Sequence, residues 1–394
     1  MVDLVFASPV LAPLDHEVLR LIEDLRERMR HRVAEPRRWI WNLRRMTFAR
    51  AVQGSNSIEG YHASLDDVAA VVEDEPTLDA SEETRFALAG YRDAMTYVLQ
   101  VAQDDDPTVD EGLLKALHFM MLKHDLAKSP GRWRPGYIGV RREETGEIVY
   151  EGPDAEAVPE LIEALLRQLS QDEGPVLVRA AMAHLNLVMI HPFRDGNGRM
   201  ARCLQTLVLA REQIVAPVFS SIEEYLGRNT QAYYEVLAAV GQGAWNPHHS
   251  AHPWTRFCMT AHYRQATTHL RRIEEIEELW RQCSALAERH RLPERATDGL
   301  VEAALGFRLR NAFYRDLTEM GSGETISELS ASRDLKAMVD ADLLTPVGER
   351  RGRYYLASPA VSALYAQIRT ARPPRDHYDP FVVAQQGSQL SLGE

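Results

Sequence analysis

Residues 176–190, VLVRAAMAHLNLVMI, constrain the fold more than any other stretch of the chain. Apolar residues fall on nearly every side of the helix this segment would form. It is therefore predicted to be a buried central helix with other elements packed around it. Amphipathic helices are available to cover it. Segment 17–33 spaces Val18, Leu19, Leu21, Ile22, Leu25 and Met29 at three- and four-residue intervals. Segment 83–103 repeats the pattern with Phe86, Ala87, Tyr91, Met95, Val98 and Leu99. Helical period returns at 158–170 and 199–212, and 253–290 reads as one long connector ending at Arg291-Leu292-Pro293. The stretch 50–62 is less regular. Residues 131–152 have another texture: bulky and polar residues alternate about Glu144-Thr145-Gly146, the pattern of a β-hairpin. The expected fold is mainly α.

The central helix runs straight into His191, and residues 191–202 read HPFRDGNGRMAR. Gly196-Asn197-Gly198 falls where one helix ends and another begins. Such a loop can turn consecutive N–H groups inward as an anion nest at a helix N-terminus. Arg199 and Arg202 lie three apart, on one face of the following helix, and guanidinium groups there suit phosphate oxygens. Asp195 is poorly placed to grip an anion but well placed to hold a Mg2+ ion that bridges phosphates. His191 titrates near neutrality and can accept a hydroxyl proton. Together these are the parts of a phosphoryl or nucleotidyl transfer site. The plainer reading is a glycine-rich turn with a core histidine and surface arginines, but it leaves so dense a set of groups within one short segment to coincidence.

This segment resembles the signature of the Fic family, HPFx(D/E)GNGRxxR, at every fixed position: His191, Pro192, Phe193, Asp195, Gly196, Asn197, Gly198, Arg199 and Arg202. The resemblance implies a helical Fic core that moves AMP from ATP onto Tyr, Thr or Ser hydroxyls of a target protein or of itself. It also implies the roles. His191 is the general base, Asp195 holds Mg2+ against the α- and β-phosphates, Gly196 to Arg199 cradle phosphates, and Arg202 meets the γ-phosphate. Phe193 is a core plug that fixes the loop. The hairpin at 137–150 resembles the family's flap, which docks an extended target segment by main-chain pairing, with Ile138 and Val140 beside the nucleotide. Asn229 to Tyr234 resembles the stretch that contacts adenosine, through Tyr233.

Upstream, residues 55–60, SNSIEG, resemble the family's inhibitory motif (S/T)xxxE(G/N) through Ser55, Glu59 and Gly60. The resemblance implies that Glu59 pairs with Arg202 and holds the enzyme off. Some members also remove AMP with this glutamate, so de-AMPylation stands as an alternative. UMP, phosphocholine or phosphate transfer are further alternatives, although Gly198 argues against the kinase-like members that carry lysine there. Segment 325–356 resembles a winged helix, with Arg333 and Lys336 on its recognition helix and Arg350, Arg351 and Arg353 on its wing. Asp334, Asp340 and Asp342 offset those charges, so homodimerisation or target docking is expected ahead of DNA binding. A DNA-binding regulator with a nucleotide-sensing core is the competing class, and the intact His191 and Asp195 argue against it.

The expected layout is an N-terminal helical region at 1–94, a Fic core at 95–265, a connector at 266–292, a winged-helix-like domain at 293–370 and a Pro/Gln/Ser-rich disordered tail at 371–394. A formal charge of −12 argues against a surface that grips nucleic acid throughout. Cys203, Cys258 and Cys283 form no CxxC pair, and reduced thiols in a cytoplasmic protein are expected. No signal peptide or membrane span is expected. The loop histidines His248, His249 and His252 read as solvated, as does the Glu-rich helix face at 274–278.

Overall fold

The structure is a computed structural model that describes residues 4–34, 37–104, 109–142, 145–211, 217–372 and 379–391. The N-terminal part holds α1 (Pro13–Ala34), α2 (Ile40–Ile58), α3 (Leu65–Val72), α4 (Glu82–Val101) and α5 (Glu111–Leu122). A hairpin follows, β1 (Gly139–Arg141) and β2 (Ile148–Glu151), antiparallel with Val140 opposite Tyr150. Next come α6 (Val158–Gln171), α7 (Val176–Ile190), α8 (Asn197–Arg211), α9 (Glu223–Arg228), α10 (Thr230–Gly241) and the long α11 (His252–Arg289). Beyond Pro293 lie α12 (Ala296–Ala304), α13 (Asn311–Ser322) and α14 (Glu328–Asp340). The antiparallel pair β3 (Leu344–Val347) and β4 (Tyr354–Ala357), then α15 (Pro359–Ala371) and α16 (Pro380–Ser391), complete the chain. Polar caps set several starts: Ser64, Ser81 and Asp110 each accept a hydrogen bond from the N–H three residues on, opening α3, α4 and α5.

As its composition requires, α7 is buried on almost every side, with Leu185, Leu187 and Ile190 fully enclosed. Each such side chain stabilises the fold by about 1.5–3 kcal/mol. It packs on α6, α8 and α11, and Trp254 of α11 donates its indole N–H to the Ala181 carbonyl at 2.7 Å. A second core, built on Leu300, Leu309, Tyr314, Leu335 and Met338, sits under the C-terminal elements. Helix α2 joins the two. Its N-terminal half and the turn before it are fixed to α12 by Arg38–Asp298 at 2.6 Å, Asn42–Glu302 at 2.7 Å and Arg45–Glu302. Burial pushes the Asp298 carboxyl up to about 6 despite that partner.

The structure departs from the sequence pattern in identifiable places. Most of the irregular stretch 50–62 is the second half of α2, whose buried face carries Gly54, Ser55 and Asn56 in place of apolar residues. Helices α12 and α13 are separated by an extended step in which Leu309 exchanges backbone hydrogen bonds with Tyr355. Within the winged-helix-like segment, Ser327 is extended and caps α14, accepting from the Ser330 N–H. Helix α11 runs unbroken through 265 and 266. In the tail, 373–378 and 392–394 lie outside the described residues, but Pro380–Ser391 is helical where disorder was expected. The reason is packing: α16 lies against α1, with Ala384 buried and Phe381 beneath the Arg256 guanidinium. Within 274–278, Glu275 is buried and accepts from Arg372 at 3.0 Å, so that face is not wholly solvated. Among the described residues no helix is long and apolar enough to cross a membrane.

Candidate active site

His191 ends α7 with a left-handed backbone, φ 50° and ψ 57°. That conformation is uncommon for a residue with a Cβ, and here it turns the chain sharply between two buried helices. The ring's Nδ1 lies 3.0 Å from the Val188 carbonyl oxygen. A carbonyl only accepts, so Nδ1 carries the proton and Nε2 keeps its lone pair. Burial lowers the imidazole pKa, outweighing the Val188 contact that raises it. A neutral ring with a free Nε2 is the form that takes a proton from a hydroxyl.

The loop after His191 is held from inside. Phe193 is fully buried, its ring stacked on His118 at 3.7 Å and tilted against Trp133. The Asn197 side chain both accepts from the Phe193 N–H and donates to the Phe193 carbonyl, each at 2.9 Å. Gly196 has φ 75°, which glycine adopts without strain. A Cβ on Gly198 would stand 2.5 Å from the Glu59 carboxylate and 3.1 Å from Arg202. The loop thereby delivers the first turn of α8, whose N–H groups have no acceptor within the helix.

Arg199 and Arg202 line this turn and are almost wholly buried. Among the described residues, Nε and Nη1 of Arg199 and Nη1 of Arg202 have no hydrogen-bond partner. Buried guanidinium donors without acceptors are costly, and a phosphate would satisfy them. Arg202 is otherwise fully engaged by α2: Nε donates to Ser55 Oγ at 2.7 Å, and Nη2 donates to the Ser55 carbonyl at 3.0 Å and to Glu59 Oε1 at 2.6 Å. Burial works against its charge, yet the Glu59 carboxylate holds its pKa above the ordinary value.

Asp195 has its Oδ1 on the Gly196 N–H at 2.7 Å and its Oδ2 on Lys128 Nζ at 2.8 Å. Burial raises its pKa, but Lys128 more than offsets this and the net shift is downward. Among the described residues no group of three or more His, Cys, Asp or Glu converges as a metal site. One partly exposed carboxylate beside buried arginines with unsatisfied donors fits Mg2+, which takes few protein ligands when phosphates supply the rest. The histidines near 250 are dispersed: His249 meets the Val240 carbonyl and His252 meets Asp15.

The flap stands beside the base. A Cβ on Gly152 would lie 2.9 Å from Ile138 and 3.7 Å from the His191 Cβ, so the hairpin root abuts the histidine. Ile138 and Val140 are both half-buried, and residues 143–144 of the turn lie outside the described residues. Tyr233 is buried with its hydroxyl on His184 Nε2 at 3.0 Å, packed behind Arg202 as part of the core.

Other contributors carry no motif. Arg134 is buried and donates to the carbonyls of His191 at 2.8 Å, Gly136 at 2.7 Å and Pro153 at 2.5 Å, tying flap to loop. His118 accepts the Gly131 N–H on Nδ1 and so donates from Nε2 to the Asp195 carbonyl. Burial lowers its pKa to about 4, keeping it neutral. Neither residue stands in a recognisable sequence pattern, and only the fold brings them to 191–196.

The arrangement matches a known class: residues 108–209 fit the model of the Fic/DOC family, and the chain carries a Fic domain. Among curated proteins it is similar to protein adenylyltransferase fic-1 of Caenorhabditis elegans, 27% identical over 229 residues, covering 55% of this chain and 43% of that protein. It is also similar to protein adenylyltransferase Fic of Nematostella vectensis, 26% identical over 254 residues, covering 61% of this chain and 54% of that one. The chain thus matches about half the length of these relatives. Its fold is similar to that of a Fic family protein from Desulfovibrio desulfuricans G20, with a TM-score of 0.56, 22% identity and coverage of 89% and 98% of the two chains. It is likewise similar to residues 134–508 of C. elegans Fic-1, with a TM-score of 0.54, 22% identity and coverage of 66% and 73%.

Proposed function

We propose that the chain is a protein adenylyltransferase that moves AMP from ATP onto a hydroxyl side chain, and that Glu59 holds its resting site shut. The observation that carries this reading is the pair of buried arginines with unsatisfied donors beside a neutral His191. In this mechanism the target hydroxyl gives its proton to His191 Nε2 as its oxygen attacks the α-phosphorus. The bond from the α-phosphorus to the bridging oxygen breaks, and pyrophosphate leaves. Arg199, Arg202 and the first turn of α8 neutralise the polyphosphate, which is how most of the acceleration arises in such transfers. Asp195 would hold Mg2+, which supplies charge neutralisation at the phosphates when bound.

The outer edge of β1 has no neighbouring strand among the described residues, which supports docking of an extended target segment there. The C-terminal elements, α13, α14 and the β3–β4 pair with its bridge to Leu309, support the winged-helix reading. Its candidate recognition face favours a homodimer or target contact over DNA: Lys336 is paired with Asp340, and Asp334 with Arg295. Arg350 and Arg353 are exposed, and the Arg351 side chain lies outside the described residues. Three free, buried cysteines suit a reducing compartment such as the cytoplasm.

The Glu59→Gly protein incubated with ATP labelled at the α- or the γ-phosphorus tests the reaction. Transfer of label from the α position alone supports AMP transfer. Transfer from γ alone means phosphate transfer and refutes the reading.

A further inference from the structure

Helix α2 ends in a turn that presents more than Glu59 to the site. Gly60, with φ 83°, closes the helix: its N–H and that of Tyr61 return to the carbonyls of Ser57 and Asn56. The turn sends Tyr61 back across the start of α8. Its ring lies under the Arg199 guanidinium, 5.3 Å from ring centre to Cζ, and its hydroxyl is 3.3 Å from Lys128 Nζ. Lys128 in turn lies 2.8 Å from Asp195 Oδ2. Residues 59–61 thus reach three cationic groups of the site, Arg202 through Glu59 and both Arg199 and Lys128 through Tyr61.

We propose that Tyr61 and Lys128 form a second clasp on this site: the Lys128 ammonium takes the cation position on the Asp195 carboxylate, and the Tyr61 phenol holds it there. Segment 59–61 then restrains the metal-binding carboxylate as well as the γ-phosphate arginine. Lys128 and Tyr61 are positioning residues in this scheme. The proposal rests on the nucleotide-transfer reading, since a cation on Asp195 matters only where phosphates supply its other ligands. An ammonium on Asp195 Oδ2 repels a divalent ion and competes with it for that oxygen, so metal entry is favoured when Lys128 swings away and Tyr61 releases it.

The test measures binding without turnover. In the Glu59→Gly protein, the affinity for α,β-methylene ATP, which cannot transfer AMP, is measured by calorimetry in EDTA and in Mn2+. The ratio of the two dissociation constants, EDTA over Mn2+, reports how strongly metal and nucleotide assist each other. Adding Lys128→Met should raise that ratio about three- to fivefold, the scale of a part-exposed ion pair. Tyr61→Phe, which keeps the ring on Arg199, should raise it about twofold. Lys128→Gln, checked with the others for an unchanged melting transition, guards against a folding artefact. A ratio that stays flat or falls in both Lys128 variants overturns the clasp, because Lys128 would then serve the phosphates. If the Glu59→Gly parent binds the analogue in neither medium, the nucleotide reading fails and the clasp with it.

Discussion

The Glu59–Arg202 contact sets two measurable quantities in opposite directions. The pair is 2.6 Å long, with the guanidinium fully enclosed and the carboxylate side chain 22% exposed. A hydrogen bond between charged groups of this kind is worth about 1.5–3 kcal/mol. At about 1.4 kcal/mol per decade, its loss shifts the balance towards an Arg202 free for the γ-phosphate by roughly 10- to 150-fold. Glu59→Gly should therefore raise the initial rate of AMP incorporation from α-labelled ATP by a factor in that range. The same substitution leaves Arg202 buried without its counter-ion, although Ser55 Oγ and the Ser55 carbonyl still accept from it. Stability should therefore fall, by no more than about 3 kcal/mol in chemical denaturation. Higher activity in a less stable protein is the signature of a released brake. A folded Glu59→Gly protein no faster than its parent would refute the assignment.

The other expectations follow from the same geometry. In the Glu59→Gly background, His191→Ala should slow transfer by about 100- to 10,000-fold, the range of a lost general base, with binding of the α,β-methylene analogue retained. Because burial lowers the His191 pKa, the acid limb of the kcat/KM profile should have its midpoint below 6.5, and a midpoint above that value would contradict the buried neutral ring. Ser55→Ala strips the acceptor from Arg202 Nε and should cost about 1–3 kcal/mol by urea titration. Burial lowers the pKa of His184, His262 and His269 to about 3. Below 6.5 the unfolded chain binds protons that these rings refuse, so stability should drop as pH falls from 6.5 to 5, each histidine contributing about 2 kcal/mol. Asp298, raised to about 6, opposes part of that loss; equal urea midpoints at pH 7 and 5 would refute the balance.

The helical architecture was legible wherever burial is achieved with apolar side chains, as in α1, α4, α7 and α11. It was illegible where burial is achieved otherwise. The second half of α2 hides its face behind Gly54, Ser55 and Asn56, because its neighbours are the α9 backbone and Arg202. The break at Leu309 depends on a partner strand some forty-five residues later, which no local pattern encodes. In the site, the loop chemistry of 191–202 could be read because its groups are contiguous. Arg134, His118, Lys128 and Tyr61 could not, because each acts by reaching a backbone or side-chain atom that only tertiary folding brings near. Asn197 was read as part of the phosphate cradle, and the work of its side chain, which holds the Phe193 backbone, was not legible.

Helix α2 has a consequence beyond either of its ends. From Ile40 to Ile58 it is an unbroken rod of about 27 Å. One end, with the turn before it, is bolted to α12 by three polar contacts and the other carries the glutamate that grips Arg202. The C-terminal unit and the phosphate cradle are thus joined through one continuous helix, without an intervening loop to take up strain.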